Sequence, residues 1–240
     1  MKSKKSLLKA SSLEIAGTKL TIRIPTVGEI LEDELAYYSM VSSLTASPFQ
    51  YMVQLDDMGI DYTAVTDYDL FQMLFPAYAK SDLSILFGDS DLSDFGLYKD
   101  KHNKTLLYSP KNDVEIDERT YHDLVGAIRK INLLEKVTQR PGNESARKYL
   151  LEKERKKQKR NADKKQEPYL EKLVIALVNT SEFPYDYDSC MDLSIYRFQQ
   201  SFHQVQRKIA FDNTMIGVCA GTVDTSKLSN KDVLSWISIK

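Results

Sequence analysis

Residues able to do chemistry are few and scattered in this chain. Its histidines (His102, His122, His203) and cysteines (Cys190, Cys219) lie far apart, with no CxxC or HxxxH pair at the spacing that holds zinc. Asp89, Asp91 and Ser93 begin like a calcium loop. Its sixth position, which needs glycine for a sharp turn, is Asp94, and its twelfth is Asp100 rather than a bidentate glutamate; acidic turns capping strands explain these residues better. The glycines form neither a GxGxxG nor a P-loop pattern that could cradle phosphates. No serine sits in GxSxG, and neither cysteine neighbours a histidine. Carboxylate pairs such as Asp56-Asp57 are abundant, but abundance without an apolar cleft reads as surface. The expectation is a protein that is not an enzyme and takes no metal or cofactor.

The feature that stands out is charge. From Arg147 to Lys165 there are ten Lys/Arg and three acids, centred on Arg155, Lys156, Lys157, Lys159 and Arg160. Such a tract can neutralise phosphates. It carries Tyr149 as its one aromatic for stacking on bases, and Glu152 precedes Lys156 at the spacing of helical ion pairs. A solvated helix that bridges subdomains or docks on an acidic protein surface therefore fits better than a nucleic-acid site. Charge is also segregated along the chain. Residues 29–123 hold 19 acids and six Lys/Arg, whereas residues 124–240 hold 21 Lys/Arg and 14 acids. Opposed blocks of this kind favour oriented association with a charged partner or with a second copy. Solvated faces account for most of the individual charges.

The positioning elements follow from composition and pattern. With 240 residues, 42% hydrophobic and 28% charged, the chain suits one large domain or two small ones. No apolar run approaches the roughly 20 residues that span a bilayer. Met1-Lys2-Ser3-Lys4-Lys5 has the charge of a signal peptide, but Lys9 and Ser11-Ser12 cut off the apolar stretch, so no export signal is expected. Two cysteines suit a reducing cytosol and read as core thiols.

Leu13 and Ile15, then Leu20, Ile22 and Ile24, alternate about Gly17 and predict a β-hairpin over 13–24. Thr26 and Glu29 form a capping box for a helix through about Ser43. A short helix starts at Pro48 and ends near Gly59, and a third, capped by Thr66 or Asp67, is closed by Pro76. Ile85-Leu86-Phe87, Phe95–Leu97 and Leu106-Leu107-Tyr108 suggest a small antiparallel sheet within 83–116, with turns at 88–91 and 100–104. Asp117 caps a helix with the stripe Tyr121, Leu124, Val125, Ile128 and Ile131. Leu170 to Val178 form a buried helix. Ile195, Phe198, Phe202, Val205 and Ile209 give the strongest helical signal, read as domain packing with Phe198 and Phe202 as partner-contact candidates. Short helices around 212–220 and 229–237 finish the chain. The fold class is mostly α with a smaller β part (α+β). Its division is 1–140 as an α+β region, 141–168 as a basic helix or linker, and 169–240 as a helical bundle.

Several segments carry a family likeness: Ile24-Pro25-Thr26-Val27-Gly28-Glu29-Ile30, Gln54–Asp61, Ile85–Asp89, Arg140–Glu144 and Ala220–Asp224 with Trp236. Together they resemble morphogenesis proteins from the virion-assembly gene blocks of Gram-positive tailed phages and prophages, of the tail assembly chaperone kind. That resemblance implies transient binding of a tape measure or tail tube protein, in the host cytoplasm or on the virion, without a membrane. Two alternatives stay open: a structural neck or tail component of the virion, and a nucleic-acid-binding regulator using 147–165.

Overall fold

A computed structural model describes residues 6–90, 92–101, 103–137, 139–164, 167–228 and 231–237. Several expectations involve residues outside these ranges: the basic N-terminus (1–5), Asp91 of the calcium-like run, His102, Lys165 of the basic tract, and positions 229–230 of the last short helix.

The fold is α+β, with two small antiparallel sheets set among helices. Strands β1 (Ser12–Glu14) and β2 (Thr21–Arg23) make the N-terminal hairpin, with Leu13 opposite Ile22. Gly17, at φ 80°, allows its turn. Thr26 and Glu29 cap α1 (Val27–Glu32) reciprocally, as a capping box should. The single helix expected through Ser43 is broken at Asp33. Its non-helical backbone (φ −151°, ψ 78°) ends α1, and its carboxylate accepts from Ala36 N–H to start α2 (Glu34–Leu44).

Helix α3 (Met52–Asp57) begins four residues beyond Pro48, because 47–51 form a turn in which Gln50 Oε1 accepts from Ser47 N–H. Helix α4 (Asp67–Tyr78) runs through Pro76 instead of stopping there. The last turn survives the lost N–H because Phe71, Phe75 and Tyr78 pack ring against ring and Tyr78 Oη donates to Ser43 O at 3.0 Å.

Residues 85–87 are a one-turn helix, α5 (Ser84–Phe87), and not a strand. Asp82 accepts from Ser84 N–H at its start, and Phe87 N–H donates to Leu83 O and Gly88 N–H to Ser84 O, the bonds of a helical turn. The sheet lies further on: β3 (Gly96–Lys99), β4 (Thr105–Ser109) and β5 (Val114–Ile116), in that spatial order. Helix α6 (Glu118–Ile131) is capped by Asp117 and buries all five residues of its stripe.

Helix α7 (Glu144–Asn161) is followed by α8 (Leu170–Val178), α9 (Tyr187–Met191) and α10 (Ile195–Cys219). Helix α10 absorbs the expected 212–220 helix, since neither proline nor glycine interrupts 195–216 and Lys208 pairs with Asp212 one turn on. Short 3-10 turns at Thr225–Lys227 and Lys231–Leu234 replace the last expected helix. Cys190 is buried, but Cys219 is exposed at the end of α10.

One apolar cluster joins residues from either side of 141–168. Ile22, Val27, Tyr37, Ile116 and Ile128 share it with Leu170, Leu177 and Phe198. The backbone reinforces this junction: Val27 N–H donates to Leu193 O, and Ile195 N–H to Pro25 O, both at 2.8 Å. Gly28 lets the chains approach, because a Cβ there would lie 3.3 Å from the Met191 carbonyl oxygen. A second, smaller cluster holds Met52, Val53, Leu55, Tyr62 and Leu70, with Leu150 and Leu151 of α7 against it.

Candidate docking surface

Helix α7 carries the basic tract and buries no residue completely. Asn143 accepts from Ala146 N–H at 2.8 Å and starts it. The helix has two unlike faces. Arg147, Leu150, Leu151, Glu154, Arg155 and Gln158 recur every three or four residues and are half-buried. Leu150 and Leu151 supply the apolar contact, and arginines fasten the ends.

Arg155 Nη2 donates to Asp57 Oδ1 at 2.6 Å and to Asp56 Oδ2 at 2.7 Å, at the C-terminus of α3. These two carboxylates push the guanidinium pKa above its ordinary value, so Arg155 is permanently charged. Arg147 binds Glu144 through two nitrogens at 2.8 Å and reaches Asp61 at 3.5 Å. The hydrogen bonds of Arg147 and of Thr63 also hold the Glu144 and Asp61 carboxyls, respectively, below their usual range.

The basic residues singled out from sequence therefore separate. Arg155 is spent on its own chain, and Lys157 pairs with Glu154 at 3.4 Å. Lys156, Lys159 and Arg160 face outward and make no ion pair among the described residues. Lys153 and the exposed Tyr149 share that outward side. The apolar candidates are also divided by the fold. Phe198 is fully buried, edge-on to Phe183, and its role is packing. Phe202 is half-buried beside the core.

Sequence reasoning missed an apolar surface at the far end of α10. From residue 206 onward that helix has no buried position. Ile209 is 39% and Ile216 68% exposed, seven residues apart on one face. The C-terminal segment returns along another side of the same helix: Gln204 donates to Trp236 O at 2.6 Å, and Arg207 to Ser235 O at 2.9 Å. Trp236 and Ile237 are each about half exposed there. The signal was present, since Ile216 continues the Phe202–Ile209 stripe by one more heptad.

No group of three His, Cys, Asp or Glu side chains is placed to hold a metal ion among the described residues. Among them, too, no helix is long and apolar enough to cross a membrane. No curated protein and no solved structure matches the chain. Residues 157–239, about a third of its length, match the family model described as the YomV second domain, a phage- and prophage-associated family name. That match takes in the end of α7, all of α8 to α10 and the exposed C-terminal segment.

Proposed function

We propose that this chain is a non-enzymatic assembly factor of a tailed phage or prophage, a tail assembly chaperone that binds a tape measure or tail tube protein in the host cytoplasm. The observation that carries the reading is the exposed apolar end of α10, with Ile209 and Ile216 on one face. A helix face left uncovered by its own fold suits a helical client, whose apolar stripe it can cover. The surface lies within the segment that matches the YomV second domain, which agrees with a phage setting.

Co-expression with the tape measure or tail tube protein from the same gene block tests this. Co-purification is expected for the unmodified chain, with loss on Ile216→Glu. If neither protein is retained by the unmodified chain, the reading fails. A second reading, a structural component of the virion, predicts instead that purified particles contain this chain in stoichiometric amount.

A further inference from the structure

The outer face of α7 has a complement elsewhere on the same chain. Tyr149, Lys153, Lys156 and Arg160 follow one another at steps of four, three and four residues, so they form one line along the helix. The eleven rises from Tyr149 to Arg160 make that line about 16 Å long. Because the opposite face is pinned through Arg155 and Arg147, the line is presented on a fixed rod. Lys153, Lys156 and Arg160 have no ion-pair partner among the described residues.

A groove of about 370 Å³ opens between the α1–α2 junction and the turn before α5. Its apolar wall includes Met40 and Ile85, and its rim carries Glu32, Asp33 and Asp82. Arg23, also in the wall, is already committed to Glu29 at 2.5 Å. Glu32 and Asp82 are exposed and have no ion pair among the described residues. The groove thus offers carboxylates around an apolar wall, while the α7 line offers an aromatic ring followed by three cations.

We infer that α7 of one copy docks in this groove of a second copy. Tyr149 lies against Met40 and Ile85, and Lys153, Lys156 and Arg160 meet Glu32, Asp33 and Asp82. The contact joins two different surfaces, so each added copy still exposes one free line and one free groove. Rows or closed rings follow, held by charge. A nucleic acid is the lesser fit, because the line has a single aromatic and the complementary acids are on the chain itself. The inference does not use the apolar end of α10, so it stands or falls separately from client binding.

Sedimentation velocity of the full chain tests it, at about 0.05 M and about 0.5 M salt, where screening lengths differ roughly threefold. Association is expected at the lower salt and dissociation at the higher. Two variants sharpen the test. One reverses the line (Lys153→Glu, Lys156→Glu, Arg160→Glu). The other neutralises the rim (Glu32→Lys with Asp82→Asn, which keeps an acceptor for Ser84, beside the unchanged Asp33). Each alone is expected to weaken association at least about tenfold, since attraction becomes repulsion in the first variant and is lost in the second. Mixing the two restores pairing, because the intact line of the rim variant then meets the intact groove of the line variant. Circular dichroism separates these effects from unfolding, and the salt series on the unmodified chain needs no variant. A monomer at low salt overturns the inference. So does association indifferent to salt and to both variants, or a reversed line that loses only duplex DNA retention while self-association is unchanged or absent.

Discussion

Glu34 caps a helix that begins 136 residues away: its Oε1 accepts from the backbone N–H of Leu170 at 2.8 Å. The same oxygen accepts from Tyr169 N–H at 2.6 Å. Helix α8 has no side-chain cap of its own, so this buried carboxylate from α2 satisfies its first donors and meets its positive end. The bond ties the C-terminal helices to the N-terminal region beside the junction of α1 with residues 193–195. Glu34→Ala is expected to cost about 2 kcal/mol of unfolding free energy, because it removes a cap and leaves buried N–H groups unpaired. Urea titration by circular dichroism checks this, and a change within about 0.5 kcal/mol of zero would contradict the capping role.

Arg155 is a fastener and its neighbours are not. Arg155→Ala is expected to raise amide hydrogen exchange along 144–161 and to make α7 an early protease target, while Lys156→Ala and Lys159→Ala change neither. Equal protection in all three proteins would show that Leu150 and Leu151 hold the helix without the ion pairs.

Acid should loosen the N-terminal junction. Burial alone would raise the Glu29 pKa, but hydrogen bonds from Thr26 and the charge of Arg23 outweigh it and hold the carboxyl below 4.5. The unfolded chain then binds the proton more readily than the folded one. This contribution is therefore fully present above the unfolded value and is lost as pH falls through 4.5 and below. Asp117 and Asp186, held low at their own caps, act in the same direction. Thermal midpoints measured from neutral pH downward should fall in that window, and Glu29→Gln should flatten the fall. An unchanged slope in the variant would remove Glu29 from the account.

The two thiols should behave differently. Burial pushes the Cys190 thiol up to about 11, whereas Cys219 lies exposed at the end of α10. Alkylation of the native protein near pH 8, read by mass spectrometry, should modify Cys219 and spare Cys190 until the chain is unfolded. Equal labelling of both would mean that the α9 region opens readily.

What the sequence made legible was local. The stripe of α6 with its Asp117 cap, and the box of Thr26 and Glu29, are complete within a few turns of chain, and the fold reproduces both. Residues 85–87 misled because three consecutive apolar residues have no period, and only the backbone bonds from Phe87 and Gly88 back to Leu83 and Ser84 distinguish a helical turn from a strand. Pro76 misled because aromatic packing outweighs its missing N–H. The surface was harder still. Nothing near Arg155 in sequence identifies Asp56 and Asp57 as its partners, about a hundred residues earlier, so one basic tract looked uniform where the fold makes two faces. Phe198 and Ile209 belong to one stripe, and only the packed neighbours decide that the first is core and the second surface.

Client binding is tested most directly by titrating the purified chain with purified tape measure or tail tube protein by calorimetry. Saturable binding is expected, weakened at least about tenfold by Ile209→Glu with Ile216→Glu and left unchanged by Phe202→Leu. No heat of binding with either protein, or binding that ignores the paired α10 substitutions, would contradict the account.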